Sequence, residues 1–133
     1  MIDKENEVYT LVHDAVIADF PDADMDSSYQ PTPSGFPHIS FYMQDLYTPQ
    51  QYLDTSANPK FGRMMFEAQV YSNKATAKKQ EAKKIMDIII DKMQSMNFRL
   101  STLTPVPNLN DSTIYRLAAR FEAIADEGGF YRT

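Results

Sequence analysis

Residues 71–98, with the sequence YSNKATAKKQEAKKIMDIIIDKMQSMNF, decide the fold class of this chain. On a helical wheel, most of their apolar side chains fall within an arc of roughly 140°, which is typical of a helix packed on a core. These side chains are Ala82, Ile85, Met86, Ile89, Ile90, Met93 and Met96. Ser72 or Asn73 is predicted to cap this helix, and Asn97 is predicted to end it.

Ile88 does not belong to this apolar stripe. It falls on the polar side of the wheel, between Lys84 and Glu81. One interpretation is an isolated exposed isoleucine, which is common on protein surfaces. The other is a contact between Ile88 and a neighbouring subunit.

Two stretches before this helix, residues 39–43 and 64–71, alternate apolar and polar side chains, which predicts strands with one buried face. The connection between them, residues 46–62, has no regular period and is long for a compact domain. We expect it to recognise a partner or a neighbouring subunit; the alternative is a lid folded on its own domain. Its candidate contact residues are Leu46, Tyr47, Tyr52, Leu53 and Phe61.

The remaining segments complete the predicted fold. A helix that is capped by Asp3 and ended by Pro21 and the acidic run 22–26 carries a second apolar stripe. Residues 98–104 favour a strand. Residues 113–125 fit either a helix or a strand, but a turn at 126–129 and a short run at 130–132 favour a hairpin. The stripe of the first helix is Val8, Leu11, Val12, Ala15, Val16 and Phe20.

These elements predict a single α+β domain over residues 1–133. Its mainly antiparallel sheet has four to five strands and is covered by two helices, with a long loop between the first two strands. A length of 133 residues supports one hydrophobic core.

Charge and composition narrow the function classes. The net charge is −5 and the chain has no cysteine, which excludes disulfides, thiol nucleophiles and cysteine metal sites. An acidic balance argues against affinity for nucleic acid, and the lysines of residues 74–92 are expected on a solvated helix face. The longest apolar run, residues 88–90, is far too short to span a membrane, and the N-terminus does not resemble a signal peptide.

The sequence predicts neither a metal site nor a cofactor. Asp22, Asp24 and Asp26 imitate the start of a calcium loop, but Ser27 and Pro33 stand where an EF-hand needs glycine and glutamate. The two histidines have no partner at ligand spacing.

A small metal-dependent nuclease is a second interpretation, because helix–strand–strand–helix is a common nuclease layout. It would pair Asp22 with the Glu67-x-Gln69 motif. However, metal-assisted hydrolysis needs converging carboxylates and usually a lysine, and the Glu81-x-Lys83 motif is predicted on a helix. We therefore expect the chain not to be an enzyme.

A series of short motifs carries a family resemblance over residues 36–132. The motifs are Phe36-Pro37, Tyr52 with Asp54-Thr55, Val70-Tyr71-Ser72-Asn73-Lys74, Glu81-Ala82-Lys83, Met96-Asn97-Phe98, Asn110-Asp111, Ile114-Tyr115-Arg116 with Arg120, and Phe130-Tyr131-Arg132. In this order and spacing they resemble the tail-terminator, or tail-to-head joining, proteins of long-tailed bacteriophages.

The resemblance implies a structural virion protein that is made in the host cytoplasm and lies in the neck of the particle. Such a protein forms a ring, expected to be a hexamer, on the last ring of tail-tube protein. There it stops tube polymerisation and binds the head completion proteins, and DNA passes through without specific binding. A head-closure (stopper) protein of the same neck is the nearest alternative. Subunit contacts are expected at Ile88, Arg116 and Arg120, whose patches can close into a ring.

Overall fold

The computed structural model describes residues 5–28, 35–47, 62–74, 76–106, 113–126 and 129–131. Within these residues the chain forms two helices and six strands. In chain order they are α1 (Glu5–Asp19), β1 (Asp24–Asp26), β2 (His38–Tyr47), β3 (Gly62–Ser72), α2 (Lys78–Ser95), β4 (Arg99–Val106), β5 (Tyr115–Asp126) and β6 (Gly129–Tyr131).

The strands form one mixed sheet in the order β1-β2-β3-β5-β4, with β6 paired to β5. Every pair is antiparallel except β1 with β2. β3 pairs with β5 as far as the pair Gly62–Ala125, so one side of β5 is occupied along its length. β6 therefore lies on the other side of β5, the side of β4, and beyond Arg99, where β4 begins. The predicted α+β class, with two helices and a mainly antiparallel sheet, is confirmed at this level.

The ambiguous segment 113–125 is a strand, as the hairpin prediction requires. Tyr115–Asp126 pairs with β3 on one side and with β4 and β6 on the other. Its alternating side chains suit this position, since one face packs under the helices and the other faces away from them.

The start of α2 differs from the prediction. Ser72 ends β3, and the helix begins at Lys78, after Ala77, which makes no side-chain cap. The Ser72 hydroxyl instead donates to Oε1 of Glu81 over 2.8 Å. At the other end the prediction is confirmed, because Asn97 adopts a φ of 69° just after the helix.

β1 was not predicted. Its three residues, Asp24, Met25 and Asp26, include only one apolar side chain, so no hydrophobic pattern marks them as a strand. They are held by parallel pairing with the start of β2, from His38 to Ser40. Only the tertiary arrangement brings these two segments together.

The prediction that residues 46–62 form the loop is wrong at both ends. Leu46 and Tyr47 belong to β2, where they pair with Met64 and Arg63, and Gly62 begins β3. A shift of register between Met43 and Asp45 interrupts the period of two, which hid the end of this strand from the sequence pattern. Tyr52, Leu53 and Phe61 lie outside the described residues.

Both helices cover one face of the sheet. α1 buries Val8, Val12 and Val16, and an aromatic cluster lies in the core. Phe66 stacks on Phe41 with 5.2 Å between ring centroids and meets Phe98 edge-on at 5.6 Å. Such offset and edge-to-face pairs add to the stabilisation from buried apolar area. α2 buries Ala82, Ile85, Met86, Ile89 and Met93.

The burial of two apolar side chains differs from the prediction. Leu11 was assigned to the buried stripe of α1 but is 37% exposed. Ile88, assigned to the polar side of α2, is partly buried and packs against the core. No helix of the described residues is long and apolar enough to span a membrane.

We predict that Phe66→Ala lowers the free energy of unfolding by about 3–5 kcal/mol, because it leaves a cavity where two aromatic contacts meet. Leu103→Ala is the control, since Leu103 is 47% exposed, and surface changes of this kind cost about 0.5 kcal/mol or less. Urea denaturation followed by circular dichroism measures both. Equal losses for the two variants would contradict the assignment of the core.

Candidate functional site

The face of the sheet opposite the helices is polar. Along β2, β3 and β5, apolar residues under the helices alternate with residues on the opposite face that are polar except for Met65, Ala118 and Ile124. Four of the five arginines of the chain belong to it. We call this surface the polar sheet face and define it by His38, Ser40, Tyr42, Arg63, Glu67, Gln69, Tyr71, Arg99, Arg116, Arg120 and Glu122.

Glu122 lies between two arginines from neighbouring strands. Its Oε2 is 3.5 Å from Nη1 of Arg63, and its Oε1 contacts Nη2 of Arg99. The Glu122 side chain is 9% exposed, against 23% for Arg63 and 45% for Arg99. The two guanidinium groups therefore compensate a carboxylate that is largely removed from water, while Arg99 remains partly hydrated.

Glu67 is the second buried carboxylate of this face. It pairs in register with Tyr42 on β2 and Arg120 on β5. The Tyr42 hydroxyl donates to its Oε2, and Nε of Arg120 is 3.5 Å from its Oε1. Both carboxylate oxygens of Glu67 thus have protein partners. Tyr42, Glu67 and Arg120 form one row of polar side chains across β2, β3 and β5.

Gln69 connects the row of Tyr42, Glu67 and Arg120 to the side chains of Tyr71 and Arg116. Its Oε1 accepts hydrogen bonds from Nε of Arg116 at 2.6 Å and from the Tyr71 hydroxyl at 3.2 Å. Its Nε2 donates to the Tyr42 hydroxyl at 3.4 Å. The Arg116 guanidinium also lies 5.4 Å from the centroid of the Tyr71 ring, within the range of a cation–π contact.

Asp24, His38 and Ser40 form a chain of hydrogen bonds in the order that serine hydrolases use. Nδ1 of His38 is 3.0 Å from Oδ2 of Asp24, and its Nε2 is 3.1 Å from Oγ of Ser40. In acyl transfer the serine must reach the substrate and the acid is buried. Here Ser40 is fully buried and the Asp24 side chain is 57% exposed. The arrangement ties β1 to β2 and does not present a nucleophile.

The environment of α1 near β1 is acidic. Burial raises the pKa of Tyr9, and the carboxylates of Asp26 and Asp24 raise it further. The Tyr9 ring stacks on His13 at 5.9 Å between ring centroids.

The structure places the predicted contact residues on two different surfaces. Arg116 and Arg120 lie together on the polar sheet face, on the central strand β5, and their contact with a neighbouring subunit stays a prediction. Ile88 lies on the helix side of the sheet. It lines a groove of about 330 Å³ with Asp19, Phe20, Lys84 and Asp87.

Sequence reasoning missed Glu122, Arg63, Arg99 and the role of His38. A signal was present in part, because Glu122 and Arg120 alternate with apolar residues on the same strand. Their partners come from strands far away in sequence, so the pairing required the register of the sheet.

The proposed acidic pair of the nuclease interpretation is not supported by this geometry, because both oxygens of Glu67 are engaged by Tyr42 and Arg120. Among the described residues, no group of three or more His, Cys, Asp or Glu side chains could hold a metal ion.

Comparison with protein-family models gives no match for this chain, and comparison with curated proteins gives no significant match either.

We predict that Glu122→Ala lowers the free energy of unfolding by about 1–3 kcal/mol, because two arginines lose their common acceptor. Arg120→Ala should cost no more than about 1 kcal/mol, since its side chain is 48% exposed and its ion pair is screened by water. Glu122→Gln, which keeps one acceptor oxygen, should lie between the two. Chemical denaturation measures the order, and an Arg120→Ala loss above that of Glu122→Ala would contradict it.

We predict that Ser40→Ala leaves the hydrolysis of 4-nitrophenyl acetate unchanged at the uncatalysed rate, because the Ser40 hydroxyl does not reach solvent. The same variant should lose about 1 kcal/mol of stability through its broken hydrogen bond to His38. Esterase assays on both proteins, with thermal unfolding in parallel, provide the measurement. A rate that depends on Ser40 would mean that this serine is a reachable nucleophile.

Proposed function

We propose that this chain is a structural virion protein of a long-tailed phage that forms a ring at the head-proximal end of the tail tube. In this role it stops tube polymerisation and joins tail to head, and it has no enzymatic activity. Its partners are further copies of itself, with six in the ring, the tail-tube protein and a head completion protein.

The observation that supports this proposal most is where the matching motifs lie in the fold. Residues 70–74 lead out of β3 towards α2, residues 96–98 connect α2 to β4, and residues 114–116 begin β5. Residues at such junctions are constrained by backbone geometry, as the φ of 69° at Asn97 illustrates. A consecutive match at junctions supports a shared chain path more strongly than a match in composition does.

The chemistry of the polar sheet face supports a structural role. Its two buried carboxylates, Glu67 and Glu122, are engaged by arginines, and the buried hydroxyl of Ser40 is engaged by His38. These groups fix strand register and compensate charge, and they are not arranged as an acid, a base and a nucleophile around a reacting atom. The net charge of −5 also suits a ring through which DNA slides without binding.

The sequence 46–62 adds a proposed contact with the tail tube or a neighbouring subunit. Its first residues, Leu46 and Tyr47, extend β2, which anchors this connection to a strand of the sheet. Tyr52, Leu53 and Phe61 provide the apolar area that we assign to the contact.

We predict that phage carrying an early stop codon in this gene produce headless tails longer than normal, because tube polymerisation is no longer stopped. Supplying the wild-type chain in trans should restore normal tail length and infectious particles. Electron microscopy of the lysates and plaque counts measure the outcome. Normal-length tails joined to heads would contradict the proposal.

The stop-codon experiment also distinguishes a tail terminator from a head-closure protein. Loss of a head-closure protein would give tails of normal length beside heads that lose their DNA. A nuclease that used Asp22 to hold a metal would lose its function in the Asp22→Asn variant, whereas a tail terminator with this substitution should complement fully, since the Asp22 side chain is exposed.

A further inference from the structure

We draw no further inference here: the strongest candidate, the groove that Phe20 and Ile88 line where the end of α1 meets α2, carries nothing because its charged lining is of both signs and nothing in the structure shows what covers it.

Discussion

The pairing of β3 with β5 is the constraint on which the rest of the structure depends. These strands are joined over eleven residue pairs, from Gly62–Ala125 to Ser72–Tyr115, although they lie about fifty residues apart in sequence. Their register places Phe66 beside Phe121 under the helices and Glu67 beside Arg120 on the opposite face. A slip of one residue would exchange the two faces, so the core and the polar network are set by the same register.

Different interactions hold that register on the two faces of the sheet. On the helix side, Phe66 is closely packed against Phe41 and Phe98, so a shift of the strand would disrupt this packing. On the other side, the partners of Glu67 and Glu122 come from four strands, β2 to β5, and a shifted strand would leave a carboxylate buried without compensation. The arginines Arg116 and Arg120 of β5 are thereby engaged by side chains of their own sheet.

Sequence patterns predicted the elements that are long and strictly periodic, and they failed where periodicity breaks. The stripe from Ala82 to Met93 and the alternation on β3 and β5 located α2 and the central sheet correctly. The end of β2 was missed because a register shift follows Met43. Likewise, Arg116 and Arg120 were predicted as contacts with a neighbouring subunit, but Gln69 and Glu67 were not predicted as their partners, since cross-strand partners leave no local signal.

The sequence by itself determined the α+β class and the identity of the buried stripe of α2. Each of these follows from local composition or from a period of two or 3.6 residues. Only the tertiary structure decided that β5 is central, that β1 joins the sheet through His38, and that Leu11 is exposed while Ile88 lines a groove. The reason is physical, because burial depends on which elements pack together, and that is a property of contacts between residues distant in sequence.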